Sequence, residues 1–204
     1  TKTDMAVGNT DKAIENVNKA FYYSGLTGND TLKGECFLQW GKCLEQTNNK
    51  LDAFRNYLNA LTIAQKQQNI QAVFDCYDNI SFFYLLIGNY AQARDYKLKQ
   101  IALIPKLHIT DSTIIMNLQC DLSEKYYYNK ERSNAEKLTK RIIAYAERHN
   151  NKRLYKNAIN NHSTYLLQNG MFAELADYYV NQYPAELQEM QQKAADETGI
   201  SSLK

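Results

Sequence analysis

The residues able to carry chemistry are few, and their spacing keeps them apart. Three histidines occur, His108, His149 and His162, with four cysteines, Cys36, Cys43, Cys76 and Cys120. A zinc site or a redox dithiol needs ligands about two to four residues apart, and the chain has neither CxxC nor HExxH. It also has no GxxxxGK[ST], GxGxxG or GxSxG. No phosphate cradle, dinucleotide loop or nucleophile elbow is therefore encoded. His162 falls where a buried side chain is expected, His108 in a connection, and His149 near a helix end, where a cation complements the dipole. The N-x-[ST] patterns at Asn79 and Asn161 sit in expected helix interiors, which argues against glycan attachment; a third is at Asn29. With no nucleophile–base pair and no ligand set, the reading is not an enzyme, with no metal and no cofactor.

The totals narrow the choice further. The 204 residues are 44% hydrophobic and 23% charged, enough for one packed unit or one repeat array. A net charge of +2 is too balanced to imply nucleic acid through phosphate neutralisation. No apolar run approaches the roughly 20 residues that cross a bilayer, so no membrane insertion by this segment is expected. Two prolines and eight glycines suit long helices. The unpaired cysteines favour a reducing, cytoplasmic compartment, against which stands an extracytoplasmic sensor domain.

What must position any functional residue is a repeat. Similar short stretches end at Ala13, Ala53, Ala93, Ala135 and Leu175, separated by 40, 40, 42 and 40 residues. Within one period, Val73, Cys76, Tyr77, Ile80, Phe83, Tyr84 and Ile87 mark one helical face. Gly88-Asn89 breaks that helix, and a second helix runs from Tyr90 to Ile104, closed by Pro105. The same plan predicts helices Ser112–Tyr128 and Glu131–His149, then Lys152–Gln168 and Phe172–Tyr183. A last helix follows Pro184, over Ala185–Ala195. Residues 1–28 read as half a unit. Its turn is at Gly8-Asn9, and Ala13, Val17 and Ala20 match Ala53, Tyr57 and Ala60. The expected units are about 30–69, 70–109, 111–150 and 152–184, with a terminal helix at 185–198, all in one domain of a longer protein. The cysteines read as small buried hydrophobes where helices touch.

Several residues carry a family resemblance. The first unit has Phe37, Trp40-Gly41, Leu44, Ala53, Tyr57 and Ala60. The second has Tyr77, Ile80-Ser81, Tyr84, Gly88-Asn89-Tyr90, Ala93 and Pro105. The third keeps Leu122-Ser123, Tyr126 and Ala135, and the fourth Leu166, Gly170, Phe172 and Tyr179. This pattern resembles the tetratricopeptide repeat (TPR) family, with a period lengthened from the usual ~34 residues. It is similar to the long-helix variants of bacterial regulators and sensor proteins. The resemblance implies an all-α, right-handed solenoid of helix–turn–helix hairpins whose first helices line a concave groove.

Residues projecting into that groove are read by helical face. The first unit offers Glu35, Lys42 and Glu45, and the second Asp75, Asp78, Asn79 and Phe82. The third offers Asp121, Glu124, Tyr127 and Tyr128, and the fourth Asn157, Asn160 and Asn161. The basic carboxylate clamp of chaperone-tail-binding TPR proteins has only Asn79 as a counterpart. The six acids and single Lys42 suit a basic protein or extended peptide instead. The aromatics add cation–π surface and the amides add backbone hydrogen bonds. The reading is a non-enzymatic peptide-binding module, the sensory or scaffolding part of a bacterial protein. The alternatives are an intramolecular domain regulating a fused kinase or DNA-binding output, and a self-associating homodimer module.

Overall fold

The computed structural model describes residues 2–198, with side chains described for residues 12 and 14–193. Among these residues the chain forms ten α-helices and no strand: α1 (Lys2–Thr27), α2 (Asp30–Gln46), α3 (Lys50–Lys66), α4 (Ile70–Leu86), α5 (Tyr90–Ile101), α6 (Ser112–Tyr128), α7 (Arg132–Arg148), α8 (Lys152–Gln168), α9 (Phe172–Asp177) and α10 (Pro184–Thr198). No helix among them is long and apolar enough to cross a membrane. Each helix from α1 to α8 packs on the next, and α6 also packs on α8. The product is an all-α solenoid.

The turns explain the period. Each hairpin turn holds one residue in the left-handed conformation: Asn48, Gln68, Gly88, Lys130, Asn150 and Gly170 all have φ between 51° and 75°. The residue after it returns its N–H to the last helical turn, as Asn49 does to the Leu44 carbonyl (2.8 Å) and Asn89 to Tyr84 (2.9 Å). This bond satisfies a carbonyl that the helix end would orphan. Glycine meets the conformation without strain at Gly88 and Gly170. After four of these six turns the next helix starts on an asparagine, whereas α7 starts on Glu131 and α9 on Met171. The side chains of Asn69, Asn89 and Asn151 accept from the N–H of Ala72, Gln92 and Leu154, filling the N-cap role.

Small residues set the crossing of each hairpin. Gly41, Ser81, Ser123 and Ser163 each stand 12 residues before the 53, 93, 135 and 175 series. A Cβ on Gly41 would overlap the Tyr57 ring and lie 3.1 Å from the Ala53 carbonyl oxygen. At the same place Ser81, fully buried, donates its hydroxyl to the Ala93 carbonyl (2.6 Å). The crossing thus stays close while its one polar group is satisfied.

The apolar core falls into two clusters. One joins α2, α3 and α4 through Leu38, Tyr57, Leu61, Cys76 and Ile80. The other joins α6, α7 and α8 through Met116, Ile142, Leu154, Ile159 and Leu166. Stacked rings extend the first, with Phe54 on Phe83 at 4.1 Å. All four cysteines are buried and free.

Three expectations are corrected. The turn expected at Gly8-Asn9 is absent, since α1 runs through it. A single glycine inside a helix costs only ~1 kcal/mol, so it does not by itself break one. Ala13, matched to Ala53, has its side chain outside the described residues. Helix α5 stops at Ile101 rather than Ile104 and continues as turns to His108, because Pro105 offers no N–H to the carbonyl of Ile101. The expected helix Phe172–Tyr183 is α9 followed by a π-helical turn over Tyr178–Gln182.

Candidate functional site

The repeat register aligns the first helices into rows. Counted back from the crossing residues, Glu35, Asp75, Asn117 and Asn157 occupy one equivalent position on α2, α4, α6 and α8. Leu38, Asp78, Cys120 and Asn160 occupy another, one turn on. Acids thus occupy the first half of the row and amides the second. Of the expected groove residues, Glu35, Lys42, Asp78, Phe82, Asp121, Asn157 and Asn160 are exposed.

Other expected groove residues are committed inside the protein. Glu45 accepts a hydrogen bond from the Tyr57 hydroxyl (2.7 Å). Asn79 donates to the Asp75 carbonyl one turn back (2.7 Å). The amide nitrogen of Asn161 donates to the Cys120 carbonyl (3.0 Å), tying α8 to α6. Tyr127, expected to project into the groove, is only 3% exposed. Its hydroxyl meets His162 Nδ1 at 2.6 Å and Thr139 at 3.3 Å. Burial holds the His162 imidazole below its ordinary value, with Glu136 opposing. His162 is therefore the satisfied core histidine that its repeat position implied.

The acids are not unopposed either. Lys97, on α5, is 2% exposed, and its ammonium donates to Asp78 of α4, to Gln100 (2.8 Å) and to Asp121 of α6 (3.3 Å). Glu124 is paired with Lys125 (2.7 Å), another largely buried lysine. Lys97 stands where the first unit has Tyr57, and Gln100 where it has Ala60. A polar network thus replaces core residues between the two apolar clusters. Nearby, Arg94 pairs with Asp95 and reaches Glu131 at the start of α7, crossing from the second unit to the third. Sequence analysis did not single out Lys97. The signal was its register with Tyr57.

With Lys42, Lys97 and Lys125 set against the six acids, these side chains keep an acidic excess, concentrated at Glu35 and Asp75. Burial raises the Asp75 carboxyl above the usual carboxylate range, opposed by the bond from Gln71 (3.0 Å) and by Lys42. Toward the other end, a cavity of about 280 Å³ opens between α6 and α8. Glu124, Asn160, Thr164 and Gln168 line it, and a wall is formed by Tyr90 stacked on Tyr128 at 5.0 Å. Among the described residues no three His, Cys, Asp or Glu side chains gather as metal ligands.

No protein-family model matches the chain, and no curated protein matches it. Solved structures do. Kinesin light chain TPR-like repeats from Podosopora anserina superpose with a TM-score of 0.70 at 12% identity, over 95% of this chain and 92% of that one. A variant of the same repeats gives 0.71 at 13% identity, over 94% and 92%. At such low identity the likeness is one of architecture. With the hairpin turns, small-residue crossings and paired helices described above, it establishes that this chain has the TPR-type repeat fold.

Proposed function

We propose that the chain is a non-catalytic binding module that holds a basic, extended protein segment along its concave face. Solenoids of this kind present extended concave surfaces to protein and peptide partners. The observation that carries the reading is the row of first-helix positions running from Glu35 and Asp75 to Asn117 and Asn157. The acids supply attraction for Lys and Arg side chains. The amides of the later units offer donor and acceptor to a peptide backbone. A sensory or scaffolding place in a bacterial protein comes from the resemblance of the long repeats and rests on that alone.

The test is a peptide array probed with the wild-type chain and with Asp75→Asn/Asn157→Lys. That variant leaves Asp78, Gln100 and Asp121 on the Lys97 ammonium. Capture of basic extended peptides by the wild type, lost in the variant, supports the reading. Equal capture by both, or capture of neutral and acidic peptides alone, refutes it.

A further inference from the structure

A second cavity, of about 310 Å³, lies between α2, α3 and the start of α4. Its size is at the lower end of ligand pockets, roughly 300–1,000 Å³, and suits one long side chain. Leu38, Ala60, Ile63 and Ala64 make its walls. The charged side chains lining it are Glu35 and Asp75, both acidic. At its edge the Thr31 hydroxyl donates to the Gln67 side chain (3.1 Å), joining α2 to the end of α3.

An apolar shaft with carboxylates matches one side-chain chemistry. Lysine carries a compact ammonium on a four-carbon apolar stem, which packs along hydrophobic surface while the charge finds an acid. We infer that this cavity receives an alkylammonium side chain, a lysine of the bound segment, with its stem against the α2–α3 wall and its charge on Glu35 and Asp75. The inference deepens the groove reading and rests on it for the source of the lysine. A cation placed there offsets the desolvation that raises the Asp75 carboxyl. Lys42 does not line the cavity.

The experiment titrates n-butylammonium, and separately its neutral counterpart n-butanol, into the protein carrying ¹³C-methyl alanine. The expected result is saturable movement of the Ala60 and Ala64 methyl signals with the amine only. Loss of charge in Glu35→Gln/Asp75→Asn weakens the amine by about tenfold or more. Ala72→Leu keeps both acids but narrows the cavity, and it removes the response. Thermal melts like the wild type's show that both variants fold. No movement with the amine overturns the inference, as does an equal response to butanol or an undiminished response in either variant. The outcomes stay separable from those of the peptide array. An array that captures basic peptides while the amine fails leaves the groove reading standing without this pocket. Amine binding without peptide capture leaves a lysine-like pocket and removes the groove reading.

Discussion

The Lys97 ammonium should be the most consequential charge in the fold, and removing its partners should cost more than removing Lys97 itself. The perturbation is Asp78→Asn/Asp121→Asn. Lys97 is 2% exposed, whereas the two aspartates expose 53% and 54% of their side chains. At 3.3 Å from Asp121, an effective dielectric near 20 gives a gross attraction of about 5 kcal/mol. Half-exposed carboxylates are screened, which leaves about 2–4 kcal/mol lost in the double variant once Gln100 keeps its bond. That corresponds to a fall in Tm of roughly 4–16 °C. Lys97→Met strands no buried charge, since the aspartates can hydrate, and should stay within about 1 kcal/mol of wild type. Adding Lys97→Met to the double variant should recover most of the loss. The assay is thermal and urea unfolding followed by far-ultraviolet circular dichroism. Because the network joins two apolar clusters, the double variant should also broaden or split the transition, as expected when one interface of a repeat array is weakened. A double variant that melts with wild type, or a triple variant no more stable than the double, would refute the reasoning.

Further outcomes follow from other places in the fold. Gly41→Ala should destabilise by about 1–3 kcal/mol, because its methyl meets the buried Tyr57 ring and the Ala53 carbonyl; urea titration measures it. Asn69→Ala removes the cap on the Ala72 N–H and should cost about 1 kcal/mol by the same assay. His162 has a folded-state pKa below its ordinary value, so the unfolded chain takes up the proton first as pH falls. Stability should therefore decline from about pH 6.5 downward until the folded imidazole also titrates, and His162→Gln should flatten that slope. Burial pushes the Cys76 and Cys120 thiols up to about 12 and raises Cys36 and Cys43. A thiol reagent at neutral pH should find all four slow until denaturant is added.

Much of the architecture was legible because it is written locally. A left-handed turn residue and a small crossing residue recur every 40 to 42 positions, with an asparagine at the N-cap of α2 to α5 and of α8. Each acts within one turn of the backbone, so α6 and α8 have the bounds that the pattern predicts. The buried histidine was legible for the same reason, as its place in the unit is a core place. The candidate groove was expected as a set of helix faces, since a periodicity of 3.6 residues assigns each side chain a direction.

What a side chain touches there was decided by the tertiary structure. No spacing within α5 says that Lys97 lies between Asp78, 19 residues earlier, and Asp121, 24 later. That adjacency exists only once α4 and α6 are laid on either side of α5. Tyr127 and Asn161 faced the groove by sequence phase, yet the packing of α8 on α6 turned one into the core and spent the other's amide on Cys120. The cavity between α2, α3 and α4 is likewise a space among three helices, and its acids meet only there. Local preferences, acting over a few residues, fixed the helices and the order of the hairpins. Burial and electrostatics, which depend on distances through space, decided which charges remain free to meet a partner.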